Sequence, residues 1–180
     1  NRIAALGEGE PPADAGADAT RVIDAKGRIL IPGLINAHAH SHSSLTRGSA
    51  EGMTLEPWLK AVIREQSQLT PEQARVSAYA TYAEMLLSGT TAVMDMCVIP
   101  EVAREVAEAI GIRAVIAPYV ADTMSFAPTL DRVGAMLAST APDARVRTWV
   151  GMHDLESASD SLLQEGAALA REHGVVLHLH

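Results

Sequence analysis

From residue 31 to the last residue, apolar runs alternate with helical patterns, and that alternation leaves few folds open. Five runs read as strands: residues 29–40, 90–95, 113–119, 145–151 and 175–180. Between them lie helical patterns over 55–66, 70–89, 100–111, 129–139 and 160–173. The clearest helix start is Thr70-Pro71-Glu72-Gln73, with Thr as N-cap, Pro at the first position and Gln three residues after the cap. Nearly continuous apolar strands are buried on both faces, so the units predict a parallel sheet covered by helices. Such sheets bind ligands at the C-terminal ends of their strands. Polar side chains collect at those ends here: His38 and His40, Asp95, Tyr119, His153, then His178 and His180.

The first strand ends in His38-Ala39-His40. Alternate strand residues share a face, so both imidazoles point one way. They either hold a divalent metal or are unrelated strand-end histidines; H-x-H alone leaves both open. His42 keeps the same parity but follows the strand, where a solvated loop histidine is expected. Cys97 lies in an apolar stretch and reads as a packed thiol. His173, at a helix end before Gly174, reads as a surface or capping residue.

Residues 1–31 read as short strands, 2–6, 21–24 and 28–30, with a hairpin turn at Ala25-Lys26-Gly27. They are too few for a domain and predict part of a small β-structure. The formal charge of −8 argues against nucleic acid or an anionic membrane as partner. No apolar run is long enough to span a bilayer. A single cysteine fits a reducing compartment, hence a cytoplasmic expectation. The start at Asn1, without Met, suggests a trimmed N-terminus. No G-x-G-x-x-G turn follows a strand, which weighs against a doubly wound nucleotide-binding domain.

Several blocks together resemble the amidohydrolase superfamily, in particular its branch of cyclic-amidine deaminases and related chlorohydrolases. They are residues 32–40 (Pro-Gly-Leu-Ile-Asn-Ala-His-Ala-His), 45–48 (Leu-Thr-Arg-Gly), 55–59 (Leu-Glu-Pro-Trp-Leu), 84–96 and 177–180 (Leu-His-Leu-His). They occur in family order and cover nearly the whole chain. The resemblance implies a (β/α)8 TIM-like barrel, of which strands one to five are present in 32–180. It also implies that 1–31 are part of a small β-sandwich domain.

The same resemblance implies a metal-dependent hydrolase acting on carbon–nitrogen bonds other than peptide bonds. The expected reaction is hydrolytic deamination of a purine, pterin, pyrimidine, triazine or adenosine-type nucleoside. His38, His40 and His180 are the implied ligands of one divalent ion, zinc or iron, with His178 as the alternative on the last strand. Trp58, His153 and Glu65 are the implied substrate contacts, although Asp154-Leu155-Glu156 replaces the family's usual aromatic after His153. Asp95 is expected to orient loops. Only Lys26 and Lys60 are present and neither follows the fourth strand, so the bridging lysine of binuclear members is missing and a mononuclear site is implied.

The family's catalytic glutamate, expected just past His180, and its ligands after strands six and eight fall outside the sequence. No catalytic residue is therefore expected within the chain. The sequence reads as the N-terminal half of an enzyme, inactive alone, with an open sheet edge that favours poor solubility or a complementing piece. A triazine-type chlorohydrolase or aminohydrolase and a non-catalytic half-barrel are the alternatives. A small heterocyclic substrate is the expected partner, and homo-oligomerisation is expected only by analogy.

Overall fold

The computed structural model describes residues 3, 5–9 and 21–180. The strand expected over 2–6 and the connection over 7–19 lie partly outside the described residues. Residues 1–32 and 33–180 form two units. In the first, the expected turn is present: the Arg28 N–H donates to the Ala25 carbonyl at 2.9 Å, and Gly27 takes φ 71°. The flanking strands do not form among the described residues. Ile23, Ile29 and Leu30 are exposed. A lone two-stranded hairpin is marginal in water, so the turn persists where the ladder does not.

The second unit begins with β1 (Leu34–Ala39), followed by a 3-10 turn, Ser41–Thr46. Then come α1 (Leu55–Ser67), α2 (Pro71–Leu87), β2 (Thr90–Cys97), α3 (Pro100–Ile110), β3 (Arg113–Pro118) and α4 (Leu130–Ala138). β4 (Val146–Thr148), β5 (Val150–Met152), α5 (Asp160–Glu172) and β6 (Leu177–Leu179) complete it. β1, β2, β3 and β4 pair in that order, all parallel, and β5 pairs parallel with β6. This is the parallel α/β arrangement that the alternation predicts.

The fourth strand is split. Val146, Arg147 and Thr148 pair with β3, whereas Val150, Gly151 and Met152 pair with β6. Trp149 lies at the break, its N–H donating to the Ile116 carbonyl at 3.0 Å. Gly151 sits at the handover because nothing larger fits. A Cβ there would lie 2.2 Å from the Pro118 carbonyl oxygen and 2.8 Å from the Ala117 carbonyl carbon. Both are backbone atoms that cannot swing aside. Gly151→Ala is expected to cost about 1–3 kcal/mol in urea unfolding, as overpacking does.

Val93 and Cys97 of β2 join Ala74, Ala78 and Tyr82 of α2 and Val106 of α3 in the main core. Odd-numbered β2 residues therefore face the helices, and burial pushes the Cys97 thiol well up. α2 begins as the sequence implies. Thr70 Oγ1 accepts from the Gln73 N–H at 3.2 Å, and Gln73 Oε1 accepts from the Thr70 N–H at 3.0 Å. Thr70→Ala removes half of this box and is expected to lower stability by ~1 kcal/mol, measured as a shift in chemical unfolding.

Candidate metal centre

Ala39 turns toward the helices and is part of the core, so His38 and His40 face the other side of β1. His180 follows β6 directly, and its N–H donates to the His153 carbonyl at 3.1 Å. One ring nitrogen from each of His38, His40 and His180 lies within 4.8 Å of the other two, a spacing that can hold a metal ion. The Nε2 atoms of His40 and His180 are 3.2 Å apart. At that distance a proton on His180 Nε2 can be donated to His40 Nε2, and a cation between the two imidazoles would turn the same geometry into ligation. The donor set, three neutral imidazoles, suits zinc or iron.

His40 is pinned for this role. Its Nδ1 donates to the Met96 carbonyl at 2.8 Å, which leaves Nε2 with the lone pair. Burial holds its pKa below the ordinary histidine value. His180 is lowered too, by burial and then by the neighbouring His40 and His38. Both rings are thus kept neutral, the form that ligates. His178 lies on β6 with a buried Nε2 that has no protein partner and, unlike His180, does not join the cluster.

The backbone beyond His40 is clamped from the helix side. Asp95, fully buried, accepts from the Ser41 N–H at 2.9 Å and from the Tyr82 hydroxyl at 2.5 Å. The Ser41 carbonyl accepts from Ser77 Oγ at 2.7 Å and Thr81 Oγ1 at 3.2 Å. Asp95 therefore orients a loop, as expected. Burial raises its pKa despite these bonds, and burial with the facing Asp95 raises that of Tyr82.

His42 departs from expectation. It is 3% exposed, because the 3-10 turn folds it inward beside His40, 5.7 Å between ring centroids. Gln66 Nε2 donates to His42 Nε2 at 3.0 Å, which leaves His42 Nδ1 and Gln66 Oε1 buried without protein partners. The family resemblance implies Glu65 as a substrate contact. The structure pairs Glu65 with Ser49 at 3.3 Å and turns its neighbour Gln66 to the histidines. Trp58 on α1 is 41% exposed. His153 is buried, its ring tilted at 42° against Tyr119 with centroids 4.1 Å apart, and 4.9 Å from the His180 ring.

Burial drives the His42 pKa down to about 3. The unfolded ring titrates near 6.5, so below that pH the unfolded state binds the extra proton. Stability is therefore full above about pH 6.5 and is lost as pH falls toward 3. His42→Gln is expected to flatten that limb in urea unfolding of the metal-free protein. An unchanged slope would mean that the ring is solvated.

The amidohydrolase family model matches residues 29–180. The chain belongs to the amidohydrolase family. Among curated relatives of this amidohydrolase is the 5'-deoxyadenosine deaminase of Methanothermobacter thermautotrophicus, 35% identical, with 100% of this chain and 43% of that protein covered. The 5-methylthioadenosine/S-adenosylhomocysteine deaminase of Natronomonas pharaonis is 37% identical over 89% of this chain and 39% of its own length. The chain spans about two-fifths of the length of these relatives.

Among solved structures, a zinc-bound adenosine deaminase from Xanthomonas campestris superposes with TM-score 0.76 at 27% identity, covering 83% of this chain and 36% of that one. A zinc complex of the atrazine chlorohydrolase from Arthrobacter aurescens gives TM-score 0.79 at 26% identity over 92% and 44%. No described helix is long and apolar enough to cross a membrane.

Proposed function

We propose that this chain supplies part of the active site of a zinc-dependent hydrolase that deaminates adenosine-type compounds. One observation carries the proposal: His40 and His180, 140 residues apart, meet His38 with ligand atoms within 4.8 Å, in a chain similar to adenosine-type deaminases. His38, His40 and His180 would hold the ion. When bound, zinc supplies a Lewis acid that lowers the pKa of water toward neutrality. Met96 fixes the tautomer of His40, and Asp95 with Tyr82 fixes the backbone after it. His42 Nδ1 and Gln66 Oε1, buried and unpartnered, offer hydrogen bonds to a ligand beside the cluster. His153 and Tyr119 lie beside His180, with ring centroids 4.9 and 6.1 Å from it.

The proton-transferring glutamate, barrel closure and the sandwich containing 1–31 belong to this proposal, as does a small nucleoside substrate. The test is ammonia release from adenosine and 5'-deoxyadenosine by the full-length, zinc-loaded protein. Turnover supports the proposal, and none with one zinc per chain overturns it. The likeness to the atrazine chlorohydrolase supports a second reading, halide hydrolysis on a triazine ring. Chloride release from atrazine without ammonia release from adenosine would favour that reading.

A further inference from the structure

His153 is followed by Asp154 and Ser157, and these two settle which ring nitrogen of His153 carries the proton. Its Nδ1 lies 2.7 Å from Ser157 Oγ and 2.9 Å from Asp154 Oδ2. The Ser157 hydroxyl has one hydrogen and donates it to Asp154 Oδ1 at 2.7 Å. The same oxygen accepts from the N–H groups of Ser157 at 2.6 Å and Glu156 at 2.9 Å. Both neighbours of Nδ1 therefore present lone pairs, and only an N–H at Nδ1 satisfies them. In the neutral ring Nε2 is then an acceptor and nothing else.

The ring is held in place as well as in tautomer. Tyr119 packs against it, tilted at 42°, with centroids 4.1 Å apart. The Thr123 N–H and hydroxyl both donate to the Ser157 carbonyl, at 3.2 and 3.0 Å, and the His153 N–H donates to the Val120 carbonyl at 2.9 Å. Nε2 has no protein partner among the described residues, and the ring lies beside His180.

We propose that Asp154 and Ser157 are positioning residues that lock His153 as a hydrogen-bond acceptor, so that the site reads a hydroxyl or N–H donor of its ligand. Acceptor-only groups, such as a fully ionised phosphate or a carboxylate, are repelled by the same lone pair. The proposal rests on the deaminase function for its ligand, a nucleoside whose sugar hydroxyls and amine are the donors.

The lock is tested on the full-length, zinc-loaded protein labelled with 15N-histidine, with the His153 signals assigned through His153→Gln. The wild type is expected to show the Nδ1–H tautomer. Asp154→Asn keeps the shape but turns an amide N–H toward Nδ1, which favours the Nε2–H tautomer. With adenosine as probe, that variant should raise KM about tenfold while kcat changes less than about twofold, the size of one lost hydrogen bond. Ser157→Thr retains the hydroxyl and should keep both tautomer and KM. An Nε2–H tautomer in the wild type overturns the lock. The expected tautomer with an unchanged KM in Asp154→Asn overturns the ligand contact. If the wild type leaves adenosine untouched, the deaminase proposal fails, and the spectrum still decides the lock.

Discussion

His40→Ala in the full-length protein is expected to weaken zinc binding by on the order of 100-fold or more. Structural zinc sites of four ligands are worth ~10–16 kcal/mol, so one imidazole of such a set is worth a few. His40 is the best-prepared of the three histidines: its Nδ1 is engaged by Met96 and its Nε2 faces His180 at 3.2 Å. Its loss would remove an imidazole whose orientation is already fixed by the fold. The measurement is competition with a chromophoric chelator, with elemental analysis beside it. His180→Ala should behave alike, whereas His178→Asn should change affinity less than about threefold. That contrast separates the two histidines of the last strand, which sequence parity leaves equivalent. Unchanged zinc affinity in both His40→Ala and His180→Ala would sink the metal centre.

What the sequence made legible follows from periodicity. His38 and His40 share a face because strands alternate, and β1 places them so. The helix beginning at Pro71 is legible because its cap is chemical: a hydroxyl and an amide at fixed offsets satisfy two backbone donors. The strand ends converge because parallel α/β units aim them at one side.

Three features escaped for physical reasons. Its position past the strand predicts His42 in solvent, but a 3-10 turn over Ser41–Thr46 folds it inward, and that turn is held at Ser41 and Ser44 by Ser77 and Thr81, more than thirty residues on. Glu65 and Gln66 differ by one position, which on a helix is a turn of about 100°. Spacing does not fix that phase; in the structure Gln66 bonds His42 and Glu65 bonds Ser49. The paired strands expected over 21–30 have the right turn chemistry, but hairpins need a face to bury, and composition alone does not say whether one is at hand.

The second large effect is expected at Asp95, behind the sheet rather than in the site. Asp95→Ala removes a carboxylate that serves two buried donors, the Ser41 N–H and the Tyr82 hydroxyl. Each donor left unpaired costs about 1–3 kcal/mol, so a loss of roughly 2–6 kcal/mol is expected in denaturant unfolding. Tyr82→Phe leaves the carboxylate with Ser41 as its partner and should cost less. The double variant should fall short of the sum by about 1–3 kcal/mol, because both changes break one hydrogen bond. Additive losses would mean that the two groups do not work as a unit. Because Ser41 follows His40 directly, Asp95→Ala should also weaken zinc binding roughly tenfold or more where the protein is still folded, as loss of a group supporting a ligand does. Stability that falls with zinc affinity intact would confine Asp95 to the core. A fall in both would show that the helix-side clamp sets the geometry of the histidine pair.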